Sequence, residues 1–325
     1  MVKLNDGNLP LAAIVGPTAV GKSEIALEVA AQLEAEIVSV DSVQVYRGLN
    51  IGAAKIPPEQ RISKSGKPIK HHLMDIVNPD EPFSVADYQR LARQVIQDIH
   101  LRGRLPLLVG GTGLYFQAVV DSYLFIPGAR DESLRARLKL KAERYGNEYL
   151  YQLLQKVDPL AAHRIHPHDQ KRIIRALEVY ILTGQPISAT WGKHFIQTPY
   201  RLALAGLTMD RKLLYQRINE RVDKMIEAGL VEEAKSLLVK GYHPDLPALQ
   251  TLGYKEIIAY LRGQLNLEEA VELLKRNTRR YAKRQLTWFK RDPRIVWWEV
   301  QPGKIQEISS AIARWMAGQL GIRVE

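Results

Sequence analysis

The run Gly16-Pro17-Thr18-Ala19-Val20-Gly21-Lys22-Ser23 fits G-x-x-x-x-G-K-[ST], a loop that wraps a diphosphate. It lies between the apolar run Leu11–Val15 and a segment of helical pattern, Glu24–Leu33, which is the strand–loop–helix context the motif requires. Its glycines let backbone amides converge on phosphate oxygens, and the helix N-terminus adds partial positive charge. Lys22 then reaches the terminal phosphates, and the Ser23 hydroxyl is placed to ligate Mg2+. All eight residues are therefore candidates for diphosphate binding.

A P-loop enzyme that activates water or a γ-phosphate carries a second acid at the end of another strand. Here the best such strand, Leu105–Val109, runs into Gly110-Gly111-Thr112-Gly113, with no Asp or Glu at that place. The first acid after a strand is Asp41, in Val40-Asp41-Ser42-Val43-Gln44. Strand ends beside the loop open on the ligand crevice of a doubly wound sheet. Asp41 is thus a candidate base, and a kinase using it to deprotonate a hydroxyl stays open on these residues alone.

The elements that must position these groups recur as short apolar runs separated by helical patterns. The runs are Leu11–Val15, Ile37–Val40, His72–Val77, Leu105–Val109, Leu202–Leu207 and Ile295–Trp298. Such alternation predicts an α/β fold, a P-loop NTPase-like, doubly wound, mostly parallel sheet. Ser84 with Asp87 three residues on predicts a capped helix start. Between Val109 and Leu202 no strand is predicted, only helices over Asp131–Tyr145, Glu148–Val157 and Asp169–Thr183. The expected domains are a core over 1–124, a helical insertion over 125–200, and a return to the core with C-terminal helices over 201–325. Asp210 is expected to cap a long helix with the apolar stripe Leu214, Ile218, Val222, Met225 and Ile226. Arg61–Lys70 is read as a polar, basic loop.

The 325 residues carry a formal charge of +11, which favours a polyanionic partner, nucleic acid ahead of membrane. Absence of cysteine excludes disulfides and thiolate metal sites and fits a reducing, cytoplasmic setting. Met1–Leu9 has no apolar core of signal-peptide length, and no run approaches the roughly 18 apolar residues of a membrane span.

Seven ordered segments give the chain a resemblance to the bacterial tRNA dimethylallyltransferase (tRNA isopentenyltransferase) family. They are Gly16–Ser23, Val40–Lys55 (VDSVQVYRGLNIGAAK), His71–Ile76 (HHLMDI), Val109–Tyr115 (VGGTGLY), Arg164–Tyr180 (RIHPHDQKRIIRALEVY), Leu252–Ile257 (LGYKEI) and Arg279–Arg291 (RRYAKRQLTWFKR). The resemblance implies transfer of a dimethylallyl group from dimethylallyl diphosphate to N6 of adenosine 37 of tRNA, with Mg2+ as cofactor. In that reading Asp41 is the base, Lys22 a catalytic cation, Thr112 a channel contact and Arg217 a further ligand of the diphosphate. Transfer to a free adenine nucleotide, or phosphoryl transfer, are the alternatives.

The tRNA contacts implied are Asp41, Ser42, Val43, Gln44 and Thr112 at the target nucleotide, and Arg135, Lys171, Arg172, Ile173, Ile174 and Arg175 in the insertion. Arg279, Lys283 and Arg284 are expected to meet phosphates, because Lys275–Arg291 holds eight Lys or Arg and no acid except beyond its end. Gly253, Tyr254 and Lys255 are further expected RNA contacts, whereas Trp288 and Phe289 are expected in the core. The spacing of His163, His166 and His168 suggests packing rather than a metal site, since no carboxylate or cysteine completes it. A monomer without membrane attachment is expected.

Overall fold

The computed structural model of the chain describes residues 9–121, 123, 125, 130–191 and 198–322. They form two compact units, one of Met1–Val120 with Pro199–Glu325, the other of Asp121–Thr198.

The first unit is built on six strands: β1 (Leu9–Val15), β2 (Ala35–Val40), β3 (His71–His72), β4 (Leu105–Gly110), β5 (Tyr200–Thr208) and β6 (Val296–Glu299). Their order is β3-β2-β4-β1-β5-β6, and every pairing is parallel. The helices before the second unit are α1 (Lys22–Gln32), α2 (Val85–Leu101) and α3 (Gly113–Val120). The second unit holds α4 (Glu132–Tyr145), α5 (Asn147–Val157), α6 (Pro159–Arg164) and α7 (Gln170–Thr183). After it come α8 (Arg211–Glu227), α9 (Leu230–Val239), α10 (Tyr254–Leu261), α11 (Leu267–Phe289) and α12 (Ile305–Leu320).

Central parallel strands are covered on both faces, so they read as unbroken apolar runs. Along β1, Ala12 and Ile14 enter the core shared with α1 and α12, while Leu11, Ala13 and Val15 enter the core shared with α2 and α3. Ser84 caps α2 in a reciprocal box with Asp87, as their spacing predicts. Asp210 caps α8 by accepting from the Lys212 and Leu213 amides, and Leu214, Ile218 and Val222 are buried.

Two expectations change. The run His72–Val77 pairs as a strand only over His71–His72, because Leu73 and Asp75 adopt φ of 60° and 56°, which ends the ladder. The turn brings Asp75 to the Lys55 ammonium at 2.6 Å. Arg61–Lys70 is not merely an exposed loop: Ile62 and Pro68 form an antiparallel bridge, and Ser63 and Ile69 are buried. The short helices α6, α9 and α10 and the terminal α12 carry too few turns, or too little punctuation, to stand out in the sequence.

In the second unit Asp131, Asp158 and Asp169 cap α4, α6 and α7 through their side chains, and Gly184 closes α7 in the left-handed region. Leu134, Leu138, Leu150, Leu154, Ile173 and Leu177 form its core. Beside them Glu178 is fully buried, accepts from the Asp131 amide (2.9 Å), and pairs with Arg135 (2.8 Å) and Arg175 (2.6 Å). Burial pushes the Glu178 carboxyl toward the neutral form, but the Arg135 and Asp131 hydrogen bonds, with Arg175, outweigh it and hold the pKa below the ordinary value. A carboxyl depressed in the folded state stabilises above its unfolded pKa and loses that contribution as pH falls through the folded one. Glu178→Gln should therefore flatten the acid limb of stability below about pH 4.5, read as hydrogen exchange across residues 131–183 between pH 3 and 7. An acid limb as steep as that of the parent chain would exclude this role.

Candidate active site

The P-loop leaves β1 at Gly16 and enters α1 at Lys22. Gly16 has φ +147°, and a Cβ there would lie 2.6 Å from the Leu207 carbonyl oxygen, so only glycine lets the loop pass this close to β5. Ala19 takes φ 64°, a strained value for a non-glycine residue that the surrounding loop must hold in place. Val20 departs from the expected diphosphate set: it is fully buried in the core and does not line the cavity. Thr18 departs from the expected set of phosphate donors, because its amide is directed to Gln285 Oε1 at 2.9 Å. The Lys22 ammonium folds back to donate to the carbonyls of Gly16 (3.0 Å) and Pro17 (2.7 Å).

Lys22 and Ser23 line a cavity of about 690 Å³ with Asp41, Gln44, Arg217, Arg221 and Tyr281. Asp41 stands just past the end of β2, and its Oδ1 accepts the amides of Val43 (2.8 Å) and Gln44 (3.2 Å). Its Oδ2 takes no hydrogen bond among the described residues. Burial raises the Asp41 pKa, opposed by those two amides and by Lys22 and Arg221. Burial, then Arg221, draws the Lys22 pKa down to about 7 against the pull of Asp41. Thr112, at the end of β4, accepts the Ser42 amide at 3.1 Å and so fixes the turn that carries Asp41.

Helix α8 presents Arg217, Glu220, Arg221 and Lys224 to the same cavity. Arg217, the sequence candidate for the diphosphate on this helix, is one of them. Arg221 does not figure among the sequence candidates, although its place one turn after Arg217 was the available signal. Its guanidinium is pulled below its ordinary pKa by burial, with Asp41 opposing. Tyr281 and Gln285 of α11 also line the cavity, and neither is among the sequence candidates. The Tyr281 hydroxyl sits beside Thr112 and Gln285, and burial pushes its pKa up to about 12.

The expected RNA contacts divide into exposed and committed groups. Arg276, Arg280, Lys283 and Arg284 lie exposed along one side of α11 and have no carboxylate partner among the described residues. Arg279 is half-buried and donates to Asn219 Oδ1 at 2.6 Å, while Lys275 pairs with Asp223 (2.8 Å). In the second unit Lys171 and Arg172 are exposed, Ile174 is partly buried, and Arg135 and Arg175 are held by Glu178. Ile173 is a correction: it is fully buried in the core, so its side chain has no surface to offer RNA. Tyr254 is another, fully buried with its hydroxyl donated to Glu233 at 2.5 Å. Phe289 is buried as expected, but Trp288 is 38% exposed, its ring lying across Gly113, where a Cβ would come 2.3 Å from Cδ1. No group of three His, Cys, Asp or Glu able to hold a metal occurs among the described residues, His163, His166 and His168 included.

A cavity with a half-titrated lysine gives a polyanion a pH signature. Above pH 7 Lys22 is largely neutral, and a bound polyanion favours its charged form, so binding takes up a proton. Calorimetry with inorganic diphosphate at pH 8, in buffers of different ionisation enthalpy, should give up to about one more proton taken up than by Lys22→Arg, which stays charged throughout. Equal proton counts for the two proteins would remove Lys22 from the ligand.

The IPP transferase family profile matches residues 44–292, and the isopentenyl transferase profile matches residues 9–65. A tRNA dimethylallyltransferase of Moorella thermoacetica is 62% identical over 97% of this chain and 98% of its own length. That of Carboxydothermus hydrogenoformans is 52% identical over 92% and 94%. Among solved structures, the tRNA isopentenylpyrophosphate transferase of Bacillus halodurans matches with TM-score 0.69 and 47% identity, covering 95% of this chain and 97% of that one. A eukaryotic dimethylallyltransferase acting on tRNA matches with TM-score 0.80 and 28% identity, over 98% and 81%. With its P-loop, its Asp41 and near full-length similarity to these enzymes, the chain belongs to the IPP transferase family, that of the tRNA dimethylallyltransferases.

Proposed function

We propose that the protein transfers the dimethylallyl group of dimethylallyl diphosphate to N6 of adenosine 37 of tRNA, releasing diphosphate. The observation that carries this reading is one cavity lined by a P-loop lysine and a raised-pKa aspartate, with no acid at the end of β4 to activate water or a γ-phosphate. The N6 lone pair forms a bond to C1 as the C1–O bond breaks, and that electron pair leaves with the diphosphate. The N6 proton passes to Asp41 Oδ2. Lys22 turns from the Gly16 and Pro17 carbonyls to the phosphates and, with Arg217 and the amides of Ala19, Gly21, Lys22 and Ser23, stabilises charge that grows in the transition state.

The exposed Ser23 hydroxyl lines the cavity beside Glu24, an oxygen donor set that suits Mg2+. Ser23 would hold that ion against the diphosphate, where it supplies Lewis-acid stabilisation of the leaving group. Thr112 orients the Asp41 turn, and Ser42, Val43 and Gln44 meet the target nucleotide. An unpaired loop base is flipped into the cavity at the cost of a few kcal/mol. The stripe of Arg276, Arg280, Lys283 and Arg284, and Lys171 and Arg172 of the insertion, meet RNA phosphates. We read the enzyme as a cytoplasmic monomer, since one chain supplies cradle, base and cationic surface. No helix among the described residues is long and apolar enough to cross a membrane.

Incubation with labelled dimethylallyl diphosphate, Mg2+ and either tRNA or AMP, followed by nucleoside analysis, tests the reading. Label is expected in tRNA and not in AMP, and Asp41→Asn should cut turnover about 10²–10⁴-fold with tRNA affinity nearly unchanged. Label in AMP alone, or phosphate transfer from ATP, would favour the competing activities. A second expectation concerns the RNA surface. Replacing Arg280, Lys283 and Arg284 together by Ala should reduce the slope of log K for tRNA against log salt by about 2. An unchanged slope would make that stripe a solvated face.

A further inference from the structure

Gln285 is buried in α11, 5% exposed, and has a side chain whose two ends are both committed. Its Oε1 accepts the Thr18 amide of the P-loop at 2.9 Å, and its Nε2 donates to the Gly111 carbonyl at 3.0 Å. A primary amide supplies an acceptor and a donor in this arrangement at any ordinary pH, whereas an ionised carboxylate supplies acceptors alone. The fit is close enough to require glycine opposite, since a Cβ on Gly111 would lie 2.0 Å from Nε2.

The position of this bridge in the fold gives it a purpose. The β1–β4 ladder ends at the pair Val15–Gly110, so beyond it the P-loop and the loop after β4 have no backbone pairing to hold them together. The loop after β4 is tied to the Asp41 side: the amides of Gly111 and Thr112 both donate to the Val40 carbonyl, and Thr112 Oγ1 accepts from Ser42. Gln285 therefore links the side that holds the leaving group to the side that holds the base, just past the end of the sheet. Among the described residues no other side chain is bonded to both loops.

In-line displacement is sensitive to that spacing. The attacking nitrogen is addressed by Asp41 and the departing oxygen by the P-loop, and a misplacement of about 1 Å costs about 10²-fold in rate.

We propose that Gln285 is a positioning residue that sets the distance between the diphosphate cradle and the Asp41 base by holding Thr18 and Gly111 at a fixed separation. The inference rests on the proposed transfer reaction for its catalytic consequence, and on geometry alone for the bridge itself.

Gln285→Ala and Gln285→Glu in the full chain test it. Gln285→Ala should lower the single-turnover rate about 10²-fold, while the dissociation constants for inorganic diphosphate and for tRNA stay within about threefold, since the remaining P-loop amides and the exposed cations are untouched. Gln285→Glu keeps the acceptor for Thr18 but sets a carboxylate against the Gly111 carbonyl. Protonation restores the donor, so its rate relative to the parent enzyme should rise as pH falls from 8 to 6, whereas the Gln285→Ala ratio stays flat. Hydrogen exchange of the ligand-free protein should quicken in residues 16–20 and 111–113 of both variants at pH 8, without change in β1 and β4. A Gln285→Ala enzyme as fast as the parent, a flat Gln285→Glu ratio, or unchanged exchange in both loops would overturn the proposal. If the parent enzyme transfers no dimethylallyl group, the reading of function fails, and the exchange measurement still decides whether Gln285 joins the loops.

Discussion

The structure turns on two opposite charges partly withdrawn from water into one cavity, Lys22 and Asp41. Burial moves the lysine down and the aspartate up, and each pulls the other back toward its charged form. Two such groups separately buried would be costly, so the protein supplies local partners to each. Lys22 rests on the carbonyls of its own loop, and Asp41 Oδ1 rests on the two amides that follow it. Both arrangements are reversible. The lysine can exchange carbonyls for phosphate oxygens without breaking a packed contact, and the second carboxylate oxygen keeps its capacity for a proton.

The remainder of the cavity comes from far along the chain. Leu214, Ile218 and Val222 hold α8 against the core, and the same helix turns Arg217, Arg221 and Lys224 toward the P-loop. Ala282 and Phe289 seat α11 in the two cores flanking the sheet, which leaves Tyr281 and Gln285 at the strand ends and Arg280, Lys283 and Arg284 in solvent. One helix thus lines the cavity with one side and presents unpaired cations with the other, a division set by its 3.6-residue period.

Which of these features the sequence discloses depends on how local their causes are. The P-loop, the Asp41 turn and the caps Ser84 and Asp210 are legible because each is a backbone demand met within a few residues. Arg221, Tyr281 and Gln285 are not, since nothing in their neighbourhood says that α8 and α11 end up over the P-loop. The shortness of β3 is hidden for a related reason: the apolar-rich run His72–Val77 is compatible with a strand, and only the positive φ of Leu73 and Asp75 stops it. Ile173 shows the reverse case, in which helical spacing alone puts it in the core and motif similarity draws attention to the surface.

Net charge shows the same limit. A surplus of +11 favours a polyanionic partner but does not locate it. Many of the cations are already committed: Lys55 to Asp75, Lys275 to Asp223, and Arg135 and Arg175 to a single buried carboxylate. A one-to-one pair has little field left to offer a phosphate, because at a distance the carboxylate cancels the cation, while the two arginines on Glu178 keep one net positive charge. What remains is a residue of the pairing pattern, and along α11 that residue is contiguous: Arg276, Arg280, Lys283 and Arg284 at successive turns, with no acid among them. A contiguous stripe adds its potential over several phosphates, whereas the same charges scattered over the surface would be screened apart within about 10 Å. The location of the unpaired cations, more than their number, therefore decides where a polyanion settles.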